Sequence, residues 1–111
     1  MILAMDLTHK KCVPCEGGAP AFSPKEVATY LAHIQNWISV EDKKIKKDFA
    51  FHDFKEAMEF VSKVAKIAES EGHHPDIHVF YNRVQLELWT HAVSGLSEND
   101  FILAAKIDQL V

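Results

Sequence analysis

DFKEAMEFVSKVAKIAESEGHHPDIHVFYNRVQLELWTH, residues Asp53 to His91, decides the fold, because the period of its apolar residues changes once along it. Asp53 and Glu56 stand at the spacing of a capping box. Behind them Phe54, Ala57, Met58, Val61, Ala65 and Ala68 keep the i, i+3, i+4, i+7 pattern of one helix face, and Phe60, Val64 and Ile67 widen that stripe. Gly72 is a natural stop for such a helix. From Ile77 the period falls to two. Ile77, Val79 and Tyr81 alternate with His78, Phe80 and Asn82, and then Val84, Leu86, Leu88 and Thr90 alternate with Arg83, Gln85, Glu87 and Trp89. This pattern predicts two strands joined by a tight turn near Asn82-Arg83.

The loop between helix and hairpin holds His73-His74-Pro75, with Glu69 in the last helical turn before it. Proline biases His74 toward extended backbone, so the two imidazoles should project in different directions. In an antiparallel hairpin the start of the first strand lies beside the end of the second. His73 and His74 are therefore expected near His91, although eighteen residues separate His73 from it. Histidine exchanges protons near neutral pH, so the convergence points to acid/base chemistry. An acidic Glu69 is unfavourable for the dipole at a helix C-terminus, a small cost that suits a role at the site. Three histidines could also hold zinc, but neighbours in an extended loop point apart, and metal-free proton transfer is the preferred reading. No serine or cysteine nucleophile is placed by sequence beside these histidines, and no Gly-rich phosphate loop occurs.

Upstream, Ser23-Pro24-Lys25-Glu26 combines a capping box with proline at the first helical position. Val27, Tyr30, Leu31 and Ile34 follow at helical spacing, predicting a helix to about Gln35. Asn36 to Val40 gives a short strand containing Trp37, Asp42-Lys43 a turn, and Ile45, Lys47, Phe49 and Phe51 one face of a second strand. Downstream, Gly95 breaks the chain and Ser97-Glu-Asn-Asp100 opens a last helix through Leu110, with Phe101, Ala104, Ala105 and Ile107 inward. At that position Asp100 has an ordinary use in helix capping that needs no catalysis. The order α-β-β-α-β-β-α predicts an α+β fold: a four-stranded antiparallel sheet with three helices packed on one face. Its outer strands would be open edges, so a homodimer or homotetramer is expected.

Residues 1–22, which contain Pro14, Gly17, Gly18 and Pro20, read as an irregular arm ahead of a single domain over 23–111. Cys12-Val-Pro-Cys15 is the arm's chemical feature. Only His9 lies near enough to join the cysteines, short of the four ligands zinc needs, and the βαβ pattern expected beside a redox pair is missing. A surface segment packed against the domain is the expectation. His9, His33, His52 and His78 have nothing converging on them. With a formal net charge of −4 over 111 residues there is no general field for nucleic acid, and Lys43 to Lys47 read as a solvated strand face. Met1 to Met5 is too short an apolar run for a signal core or a membrane span, which makes the cytoplasm the default.

Glu69-x3-His73-His74-Pro75, Tyr81-Asn82-x-Val84, Leu88-x-Thr90-His91 and Gly95-Leu96-Ser97-x2-Asp100 together resemble the signature of the pterin-4a-carbinolamine dehydratases. The resemblance extends back through Phe51-x2-Phe54-x2-Ala57 to Trp37, covers about residues 23 to 110, and includes the Cys-x-x-Cys arm of bacterial members. It implies dehydration of a 4a-hydroxytetrahydropterin to the quinonoid dihydropterin without metal or cofactor, in recycling tied to an aromatic amino acid hydroxylase. It also implies that His73 and His91 are acid and base in either order, and that His74 positions the substrate. Glu69 and Asp100 would orient the imidazoles, with Pro75, Thr90 and Trp37 in support. Ile77 and Trp89 depart from the animal members at the pocket rim. The animal members' pairing with a homeodomain transcription factor does not transfer from the motif. Two alternatives stay open: a regulatory or dimerisation protein with the same fold, and a dehydratase for another pterin.

Overall fold

Cap chemistry sets where each helix begins in the computed structural model of the chain, which describes residues 6–13 and 20–111. Helix α1 (Pro24–Leu31) follows Ser23, whose hydroxyl accepts from the Glu26 amide while the Glu26 carboxylate accepts from the Ser23 amide. Helix α2 (Phe54–Glu71) starts where Asp53 accepts from the Glu56 amide at 2.8 Å. It stops at Gly72, whose φ of +66° lies in the left-handed region that a glycine enters without a Cβ penalty. Helix α3 (Glu98–Asp108) follows the Ser97 and Asp100 capping box.

The strands are β1 (Ile38–Val40), β2 (Lys44–Ala50), β3 (Asp76–Phe80) and β4 (Arg83–Leu88), all antiparallel, in the order β1-β2-β4-β3. Two hairpins thus join through β2 and β4, with Ile45 opposite Leu88 and Phe49 opposite Val84. Ile45, Phe49, Val84, Leu86 and Leu88 are buried on one face, while Lys44, Lys46, Asp48, Gln85 and Glu87 occupy the other. The three helices lie on the apolar face. Their order and the sheet are the α+β arrangement expected from the sequence.

Local details differ from the sequence reading for identifiable reasons. Helix α1 ends at Leu31, short of Gln35, and the chain then turns through Asn36 with φ +64°. The hairpin turn is Tyr81-Asn82, one residue earlier than expected, because Tyr81 accepts a φ of +57°. Helix α2 buries Ala57, Phe60, Val64 and Ala68, and leaves Phe54 and Met58 50% and 37% exposed. The apolar stripe is wide, and the line carrying the alanines Ala57 and Ala68 sits deepest. Helix α3 is buried nearly all round: Phe101, Ile102, Leu103, Ala104 and Ile107 are each at most 1% exposed. It packs against α1, α2 and a 3-10 turn over Leu7–His9, so two-sided patterning gave no sign of its central place. Lys47, on the inward parity of β2, sets its ammonium 2.8 Å from Asp108 and 4.9 Å from the Phe49 ring centroid. No helix among the described residues is long and apolar enough to cross a membrane.

Candidate active site

The left-handed turn at Gly72 redirects the chain so that the His73 amide donates back to Ala68 O at 3.2 Å. This fixes the backbone from which His73 projects. Its ring nitrogen Nε2 lies 2.6 Å from Oδ1 of Asp100. The His73 side chain is 12% exposed and that of Asp100 0%. An ionised carboxylate only accepts, so Nε2 is assigned the hydrogen and Nδ1 is left as the basic nitrogen of the neutral ring. The other oxygen of Asp100, Oδ2, accepts from the Thr90 hydroxyl at 2.8 Å and the Ser97 amide at 3.0 Å. Capping and histidine orientation therefore use different oxygens, and the two uses of Asp100 do not compete.

Thr90 does more than hold Asp100. Its amide donates to Gly95 O at 2.7 Å, closing a small loop whose first residues, His91–Val93, form a 3-10 turn. Gly95 is needed at this closure, because a Cβ there would stand 2.8 Å from Cβ of Ala21. The loop presents His91, exposed and stacked on Trp89 with ring centroids 3.8 Å apart and planes at 28°. Trp89, a departure from the animal pattern, thus acts as the platform for His91.

His73, His74 and His91 all line one cavity of about 480 Å³, with Trp89 and Thr90 between them. That volume suits a bicyclic small molecule. The expected convergence of the three histidines is therefore what the hairpin produces. The remaining residues placed by sequence fall as follows. Glu69 is off the lining, and its exposed carboxylate lies 3.4 Å from His74 in a solvated pair of small energetic weight. Pro75 is half-buried in the loop and also off the lining. Trp37 is corrected outright: it is 6% exposed in the core, packed edge-on to Phe49, with its Nε1 donating to Asp108 at 3.1 Å. It precedes β1, the edge strand opposite β3, and is off the cavity lining.

The wall opposite in sequence was not anticipated. Cys12, Val13, Glu71 and Asn99 also line the cavity. Burial, with the Glu71 carboxylate adding to it, pushes the Cys12 thiol up to about 12, so this sulfur is not a thiolate nucleophile near neutral pH. The arm does pack against the domain at Cys12, while Cys15 lies outside the described residues. Among the described residues the donor group compact enough for an ion is His52, Asp53 and Glu56, at the far end of α2. There Asp53 and Glu56 already accept cap hydrogen bonds.

Comparison with known proteins adds to this geometry. The family model described as pterin 4 alpha carbinolamine dehydratase matches residues 20–110. A Rickettsia bellii protein named for pterin-4-alpha-carbinolamine dehydratase is 46% identical over 111 residues, covering 99% of this chain and 98% of that protein. A Nitrosospira multiformis protein of the same name is 49% identical over 105 residues, covering 95% and 92%. A crystal structure described as a transcriptional coactivator/pterin dehydratase from Brucella melitensis is 32% identical, covers 81% of this chain and 97% of that one, and superposes with a TM-score of 0.77. A pterin dehydratase-like protein described as a RuBisCO assembly factor in the alpha-carboxysome is 24% identical with a TM-score of 0.59, which speaks to the fold alone.

Proposed function

The chain belongs to the pterin 4 alpha carbinolamine dehydratase family, and from that premise we propose that it is a hydro-lyase removing water from a 4a-hydroxytetrahydropterin to give the quinonoid dihydropterin. The observation that carries the reading is the buried His73–Asp100 pair on a cavity shared with His91.

The elimination needs two proton transfers. One group takes the N5 proton, the N–H electron pair becomes the N5=C4a bond, and the C4a–O bond breaks as a second group protonates the departing hydroxyl. His73, with Nε2–H committed to Asp100, offers Nδ1 as the base, and the positive charge it acquires has a buried carboxylate partner. His91 supplies the proton to the hydroxyl, and its exposure lets solvent return that proton. His74 positions the substrate from the third corner of the cavity. In this reading the enzyme recycles a tetrahydropterin beside an aromatic amino acid hydroxylase, in the cytoplasm, as a homodimer or homotetramer.

The test is stopped-flow dehydration of a freshly generated 4a-hydroxytetrahydropterin by the purified protein. Acceleration over the buffer rate that scales with enzyme concentration is the expected result. A rate equal to buffer alone would remove the enzymatic reading and leave the protein as a partner-binding relative with the same fold.

A further inference from the structure

We propose that Cys12 and Val13 of the N-terminal arm form a substrate-retaining wall of the cavity, and that Glu71 and Asn99 are the positioning residues that hold this wall in place. The inference rests on the pterin dehydration reading and names a further part of that site.

The arm is clipped by its backbone. The Asn99 side chain donates from Nδ2 to Val13 O at 2.6 Å and accepts from the Val13 amide at Oδ1, 3.0 Å. One side chain thereby satisfies both polar backbone groups of Val13, as a neighbouring strand would. Glu71 accepts from the Cys12 amide at Oε1, 2.9 Å, and its other oxygen is held by the Lys106 ammonium at 2.7 Å. The Cys12 sulfur adds a weak donation to Asn99 O at 3.6 Å.

Helix capping does not explain either clip. Asn99 follows the cap residue Ser97 by two positions, and its amide is spent on a residue 86 positions away. Glu71 is an acidic residue in the last turn of α2, an unfavourable place for the helix dipole, and its side chain is only 6% exposed. Both nevertheless adjoin the reacting pair: Asn99 directly precedes Asp100, and Glu71 stands two residues before His73. The backbone turns that aim the histidine and the carboxylate therefore also set the position of the wall. Val13 stands on the cavity lining 63% exposed. An apolar side chain so placed is covered when a flat ring occupies the cavity.

The test measures kcat and KM for dehydration, together with Kd for a 7,8-dihydropterin, a probe with no 4a-hydroxyl to lose. The variants are Val13→Asp, Asn99→Ala, Glu71→Ala and Glu71→Gln. Val13→Asp changes an exposed side chain and keeps the test valid if a buried variant fails to fold. KM and probe Kd are expected to rise by about tenfold in Val13→Asp, Asn99→Ala and Glu71→Ala, with kcat within about twofold, the pattern of lost uniform binding. Glu71→Gln, which keeps an acceptor for the Cys12 amide, should recover most of the affinity. Wild-type KM and Kd in Val13→Asp, or a fall in kcat at unchanged KM in the clip variants, would overturn the wall while leaving the dehydration reading intact. Absence of turnover in the wild-type protein would overturn both.

Discussion

His73 Nε2 lies 2.6 Å from Oδ1 of Asp100, and the carboxylate has no exposure to solvent. The contact joins the loop after α2 to the first turn of α3, so the reacting pair is assembled by the packing of two helix ends. Asp100 is held by three groups, His73, Thr90 and Ser97, and each reads its state differently.

Asp100→Ala should be expensive for the fold. It removes the Asp100 acceptor from the Ser97 amide and from the Thr90 hydroxyl, which keeps its contact with Ser97 Oγ at 2.8 Å, and is expected to cost about 2 to 4 kcal/mol. Asp100→Asn keeps the volume but gives an amide that can present NH₂ where Oδ1 stood, forcing His73 into the other tautomer. Urea unfolding should show Asp100→Asn milder than Asp100→Ala, while kcat falls by about a hundredfold or more in both. Comparable kcat in wild type and Asp100→Asn would mean that His73 does not depend on this orientation.

His91 is exposed and ordered by its stack on Trp89. His91→Ala is expected to lower kcat by about a hundredfold with little change in stability, since no packed core is opened. Trp89→Ala should act through the same group more weakly, lowering kcat by about three- to tenfold as His91 loses a stack of about 0.5 to 1.5 kcal/mol. Identical kcat in wild type and Trp89→Ala would show that the platform does not matter for turnover.

Gly95 offers a stability test of the loop that carries His91. Alanine there places a Cβ 2.8 Å from Cβ of Ala21, two carbons fixed to backbone, so the chain must shift. A loss of about 1 to 3 kcal/mol is expected for Gly95→Ala, with kcat reduced as the Thr90–Gly95 closure opens. The paired change Ala21→Gly should recover part of that loss; a denaturation midpoint equal to wild type in Gly95→Ala alone would contradict the close packing.

Two carboxylates that tie down the arm give a pH dependence. Burial acts to raise Glu71, but the Lys106 ammonium and the Cys12 amide together outweigh it and hold the group below its ordinary value. Glu98 is lowered first by its hydrogen bond from Lys10, and Tyr30 adds to this. A depressed folded pKa contributes stability that is present above the unfolded value, about 4.3, and is lost as pH falls through the lower folded value. Stability of the wild type should therefore decline between about pH 5 and pH 3, and the decline should be shallower in Glu71→Gln. Parallel declines in urea midpoint for the two proteins would exclude Glu71 as a contributor.

Open edges at β1 and β3 support the expectation of a homo-oligomer. Light scattering at micromolar concentration should give a mass of two or four chains; a single-chain mass across the accessible range would refute it.

What was legible in the sequence was local. The caps of all three helices rest on residues three positions apart, and Gly72 marks the end of α2 by its own backbone preference. The hairpin period brought His73 and His91 to one cavity without any knowledge of the sheet order. Non-local choices were not legible. Pairing of β2 with β4, the central burial of α3 and the rotation of α2 are set by packing between elements. The Tyr81 turn uses a backbone state uncommon for an aromatic residue, so the register read one position late. Trp37 was assigned to the site by resemblance and belongs to the core instead. Asn99 carried no local signal and Glu71 only its unfavourable place in the last turn of α2, because their partners lie 86 and 59 residues away in the arm.

In the proposed elimination His73, oriented by Asp100, moves a proton. The most direct measurement is the stopped-flow dehydration rate of His73→Ala beside wild type at saturating pterin, with probe binding to the variant verified. The expected result is that kcat falls by about a hundredfold or more while the 7,8-dihydropterin still binds. A variant that binds the probe and turns over at the wild-type rate would contradict it.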